Sequence, residues 1–111
     1  MQINGVELKF DIYDSDQTDR VKCYYDGLEQ ISHIKENSPK GSEQEKNKYL
    51  CGTIKQFFDD VFGEGTGEKV CGSGNNLLKY IAAFNLLVEE QIRQNEAFDK
   101  EMDKIEALKK R

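Results

Sequence analysis

The chain has 111 residues, enough for one modest core and too few for two. It is 33% charged and 37% apolar with a formal net charge of −5, and an acidic surface repels phosphate backbones, which argues against nucleic acid as a partner. No stretch reaches the roughly 20 apolar residues that a membrane-crossing helix needs, since even Leu77 to Val88 is interrupted by Lys79 and Asn85, so no membrane partner is expected either.

Residues 1–13 read as a β-hairpin. Asn4-Gly5 suits a two-residue turn with positive φ at both central positions, and Val6, Leu8, Phe10 and Ile12 alternate with polar residues and Tyr13 to make one apolar face. The turn places Ile3 opposite Val6 and Met1 opposite Leu8. Phe10 and Ile12 then extend past the first strand with unpaired backbone, an edge that a second chain can pair with. The same stretch lacks the basic start and long apolar run of a secretory leader, and none is expected.

A first helix is expected within residues 14–37, introduced by Asp14-Ser15-Asp16 as caps and by the apolar stripe Val21, Tyr24, Tyr25, Leu28, Ile31 and Ile34. Gly27 weakens its middle, and Pro39 with Gly41 ends it. Ser42 with Glu45 forms a capping-box pattern that opens a second helix over 42–62, whose inward residues are Leu50, Ile54, Phe57, Phe58, Val61 and Phe62. Residues 63–76 hold five of the nine glycines and act as a hinge, with a short helical turn around Glu68 to Cys71.

Asn75 or Asn76 caps a last, long helix over 76–110. Its first half is apolar around much of its circumference and reads as the centre of the core. Its second half is highly charged, and Glu89/Arg93, Glu96/Lys100 and Glu106/Lys110 are spaced as helix-stabilising pairs. A seam at Ile81, Phe84, Val88, Gln91, Asn95, Phe98, Met102 and Ile105 alternates steps of three and four, the period of a coiled-coil face, with Gln91 and Asn95 as polar interruptions that set register. So small a body cannot cover a helix of this length, and Phe98, Met102 and Ile105 are expected to protrude and to meet a helical partner, another copy or another protein; the alternative is that they fold back onto the first helix or the hairpin. The fold expected is mainly α (α+β) in a single domain over 1–111: an N-terminal β-hairpin followed by three helices, the last long with a coiled-coil-like C-terminal half.

Reactive constellations are missing where they are usually found. Cys23, Cys51 and Cys71 are widely spaced with His33 as the only histidine, which suits apolar fillers in a reducing cytosol better than a zinc site. The run Gly63 to Lys69 fails as a phosphate loop because Lys69 follows Glu68, Val70 comes next and a helix precedes it. Asp14, Asp16 and Asp19 lack the glycine and closing glutamate of a calcium loop. His33 has no Ser or Cys beside it and reads as a core-edge residue, and adjacent Asp59 and Asp60 point about 100° apart on a helix, too far to work as an acid/base pair. No catalytic residue, metal or cofactor is therefore expected, and the candidate site is a partner-binding one: Phe10, Ile12, Gln91, Asn95, Phe98, Met102 and Ile105.

MQINGVELKFDIYD at the start, FFDDVFGEGTGEKVCG in the middle and NNLLKYIAAFNLLVEEQ after it resemble a family of small proteins of unknown function encoded in prophages and tailed phages of Gram-positive bacteria. The resemblance runs through Asn4-Gly5, Phe57-Phe58, the Phe62 to Thr66 hinge and the helix that follows. It implies a protein of the bacterial host cytoplasm or of the virion, and its size, acidity and helix content are similar to those of tail assembly chaperones. It thus implies a non-enzymatic protein that binds a phage tail protein or itself, as a homo-oligomer. Alternatives are a self-associating structural tail component and, further off, a nucleotide-binding protein or enzyme using the hinge.

Overall fold

The structure, a computed structural model, describes residues 1–111. A hairpin of β1 (Gln2–Ile3) and β2 (Val6–Glu7) leads through a 3-10 turn at Ser15–Gln17 into α1 (Thr18–Ser32), α2 (Glu43–Phe62), α3 (Thr66–Cys71) and α4 (Leu77–Ala107), which ends in a further 3-10 turn at Leu108–Lys110. Asn4 and Gly5 carry the positive φ values that the tight turn demands, 51° and 81°. The register pairs Ile3 with Val6 and Gln2 with Glu7, and Met1 and Leu8 continue it by exchanging backbone bonds of 2.7 and 3.0 Å. The amide of Asn4 donates to the Val70 carbonyl at 2.6 Å, which ties the turn to α3.

Helix starts follow their caps. Asp14 accepts from the Asp16 N–H ahead of α1, Ser42 from the Glu45 N–H at α2, and Asn76 from the Lys79 N–H at α4. The expected first helix is shorter than its apolar pattern: α1 stops at Ser32, and residues 33–37 continue as turns. Gly27 does not interrupt it. A Cβ there would overlap the Phe57 ring, so the missing side chain is what lets α1 lie against α2.

Fourteen buried apolar residues form one cluster. Its centre is α2, which contributes Cys51, Ile54, Phe57, Phe58 and Val61, rather than the first half of α4, which contributes Tyr80, Ala83 and Leu87. The expected apolar wrap of α4 is real in sequence, but one side of it faces solvent: Leu78, Ile81 and Leu86 are exposed. A helix with apolar residues all round is fully buried only when neighbours surround it, and here α2, α3 and β1 pack on one side. The face of α4 that meets the body is therefore Tyr80, Ala83 and Leu87, one position before the Ile81–Phe84–Val88 start of the seam.

Cys23 and His33 are also placed differently from expectation. Cys51 and Cys71 are buried fillers, and burial pushes the Cys71 thiol up to about 11, whereas Cys23 is exposed. His33 is not at the core edge. It caps the C-terminus of α1 in solvent, with Nδ1 at 3.0 Å from Glu36 and Nε2 at 3.1 Å from Glu29. Both ring nitrogens can donate only in the imidazolium, so these hydrogen bonds, Glu36 first, raise its pKa. Whatever this clasp contributes to stability is complete below the unfolded value near 6.5 and is lost as pH rises through the folded value. An NMR titration should find His33 above the ordinary histidine range, with Glu36→Gln returning it towards that range; an unchanged midpoint in the variant would mean that the clasp does not form.

Candidate partner-binding surface

A helix of 31 residues rises about 46 Å, while the molecule measures 64 × 28 × 22 Å. The C-terminal part of α4 therefore stands clear of the body as a rod, and from Glu96 onward every residue is exposed. On this rod Phe98, Met102, Ile105 and Leu108 are 41%, 38%, 55% and 56% exposed, too much for residues of this size to be counted as covered. At 100° per residue they continue the direction of Tyr80, Ala83, Leu87, Gln91 and Gln94. The stripe thus emerges from the face that packs against the body lower down.

The polar positions of the seam are used inside the chain. Tyr24 donates its hydroxyl to Gln91 at 2.6 Å, and Tyr13 donates to Asn95 at 2.8 Å. Burial raises the Tyr24 pKa, so the phenol remains a donor. Tyr13 also stacks on Phe98, the ring centroids 4.3 Å apart and the planes within 4°. Gln91 and Asn95 thus fasten α4 to α1 and to the segment after the hairpin, and only Phe98, Met102 and Ile105 of the expected seam residues remain on the projecting part.

Phe10 and Ile12 need correction as partner residues. Phe10 is buried, with its ring 4.8 Å from that of Tyr24 and 5.9 Å from that of Phe62, and Ile12 is half-buried against the core. Their backbone is not an open edge. Gln94 accepts from the Ile12 N–H at 2.8 Å and donates to the Phe10 carbonyl at 2.8 Å, so its side-chain amide occupies the place of a neighbouring strand's peptide group beside Asp11. Glu90 accepts the second Nε2 hydrogen at 2.9 Å, which fixes the orientation of that amide, and Glu90 is itself held by Arg93 at 2.7 Å, a bond that lowers its pKa. Gln17 accepts from the Asp11 N–H, and Arg20 donates to the Lys9 carbonyl. Period-two patterning in the sequence shows which face of a strand is apolar and says nothing about side chains distant in sequence that satisfy its edge.

Gln94→Leu keeps the size of the side chain and leaves the Phe10 carbonyl and Ile12 N–H without partners. It should lower stability by about 1–2 kcal/mol in urea denaturation. Unchanged stability would mean that water replaces the amide at no cost.

The charged pairs on the rod differ in spacing from those expected. Arg93 pairs with Glu90, Lys104 with Glu101 and Lys109 with Glu106, all three apart at 2.7, 3.2 and 3.3 Å. Positions three and four apart are both in reach on a helix, and for Arg93 the half-buried Glu90, already oriented by Gln94, is the better partner. These exposed pairs support the helical form of the rod but leave its stripe uncovered.

Two further features lie outside the expected partner-binding set. A groove of about 650 Å³ runs between α1 and α2 past Cys23, Gly27, Gly52 and Phe57; a glycine inside each of two consecutive helices was its only trace. A second apolar face lies on the outside of α4 at Leu78, Ile81, Leu86 and Ile92, all exposed. No group of three or more His, Cys, Asp or Glu is gathered where it could hold a metal ion, and no helix is long and apolar enough to cross a membrane.

No curated protein and no solved structure shows a significant match to this chain. A protein-family model does match, over residues 4–111, a span that takes in the hairpin turn, β2, all four helices and the projecting rod. The chain belongs to DUF6673, a family of unknown function.

Proposed function

We propose that this protein acts by non-enzymatic protein–protein binding through the stripe Phe98, Met102, Ile105 and Leu108, which a partner helix covers. The observation that supports this reading is the exposure of four large apolar side chains along one face of a rod that its own body touches only at Phe98, through Tyr13. Charged residues around the stripe keep the rod in helical form and in solution while it waits for a partner. The setting proposed is phage tail assembly in the cytoplasm of a bacterial host, with a helical tail protein as client; that part rests on the sequence resemblance to prophage and tailed-phage proteins. The test is affinity capture with the full chain from lysogenic cells during induction. Recovery of a tail protein supports the setting, and recovery of none overturns it.

The second apolar face on α4 favours one further reading, a structural subunit that touches neighbours on two sides. Such a subunit needs two different adhesive surfaces to propagate a ring or tube. A large assembly formed by the isolated protein, abolished by Leu86→Lys, would support this reading over the chaperone-like one.

A further inference from the structure

We propose that a second copy of this chain covers the stripe, with the two α4 rods lying antiparallel. The inference rests on reading the stripe as a contact surface and adds what covers it in the isolated protein, a second copy that a client helix would have to displace, and in what orientation.

Orientation follows first from shape. The stripe and the body lie on the same side of α4, as shown by Gln91, Asn95 and Phe98 holding Tyr24 and Tyr13 from the body. Two rods joined side by side in parallel through this face would bring both bodies into the space between the helices, where they collide. Turned antiparallel, each rod passes along the other's free stripe, and its tip arrives at the base where the partner's body begins.

Charge points the same way. Residues 89–103 hold six acids and two bases, whereas residues 104–111 hold one acid and four bases. A parallel pair sets like against like along the whole rod. An antiparallel pair sets the basic tip of each copy against the acidic base of the other. At that base is a shallow hollow of about 280 Å³, floored by Tyr13, Ala97 and Phe98 and rimmed by Asp11 and Glu101. It suits the partner's Leu108 with Lys109 and Lys110 beside it. Arg93 on the same rim is held by Glu90 and does not oppose them.

The test uses the full chain. Light scattering across a concentration series should show a species of twice 12.8 kDa, and Met102→Asp should return it to monomer, since Met102 projects from the free part of the rod. In a Cys23→Ser background, a spin label at Lys110→Cys should report a tip-to-tip separation on the order of 20–30 Å along the pair, from the helical rise. Parallel rods would instead place the tips about 10 Å apart. A dimer with adjacent tips, or one that survives Met102→Asp, overturns the inference. A monomer at every concentration also overturns it, while leaving client binding to be judged by capture from induced cells, where Met102→Asp should still abolish recovery if the stripe is the contact surface.

Discussion

Gly67→Ala is expected to lower the free energy of unfolding by about 3 kcal/mol, at the upper end of what overpacking costs, whereas Gly52→Ala should raise it by about 0.5–1 kcal/mol. Both glycines are helical. A Cβ at Gly67 would overlap the Lys55 carbonyl oxygen and stand 2.9 Å from the Lys55 Cα, and a collision with backbone cannot be relieved by a rotamer change. The helix α3 would have to move off α2, stretching the 2.7 Å bond from the Gly67 N–H to Asp59 and disturbing Val70 and Cys71, which pack beneath it. At Gly52 the added methyl meets nothing within 4 Å, so only the gain in helix propensity is left. Urea denaturation of the two variants checks the pair. Losses of equal size would mean that the close approach of α2 and α3 does not govern stability.

Phe98→Asp together with Met102→Asp should weaken partner capture by more than about 100-fold while leaving the helical content of the protein intact. Covering the stripe is worth on the order of 1 kcal/mol for each half-exposed large apolar side chain, and a carboxylate left unpaired in such an interface costs several kcal/mol more. The fold itself loses only the Tyr13–Phe98 stack, about 1 kcal/mol, which lowers the melting temperature by a few degrees. Met102→Asp alone separates the two effects, because Met102 lies beyond the Tyr13 stack. Circular dichroism and light scattering read folding and mass, and pull-down reads capture. If both partner and mass survive the double substitution, the stripe is not the contact surface, and the outer face at Leu78, Ile81, Leu86 and Ile92 becomes the surface to test.

Much of this arrangement could be read from local patterns because local physics sets them. Asn4-Gly5, Ser42 and Asn76 act within a few residues of themselves, so the turn and the starts of α2 and α4 were legible, and Thr66–Cys71 forms the short helix expected inside the glycine-rich segment. The free stripe on the last helix was legible for a different reason: its length exceeds what so small a body can flank. The fate of Phe10 and Ile12 was not legible. Their edge is filled by Gln94, more than eighty residues away, and no periodicity in the hairpin announces so distant an amide. Gln91 and Asn95 likewise have the spacing of coiled-coil register residues, whereas in the fold Tyr24 and Tyr13 hold them.

Turn chemistry, caps and apolar spacing, all properties of the chain over a few residues, were enough to determine that this protein is a hairpin followed by helices, ending in a rod that keeps apolar side chains in solvent. Which side of α4 faces inward, which polar residues are consumed within the subunit, and that the hairpin edge is closed were decided only when distant segments packed together. Packing selects one side of a helix that is apolar all round, and it pairs hydrogen-bonding groups by position in space, where sequence separation carries no information.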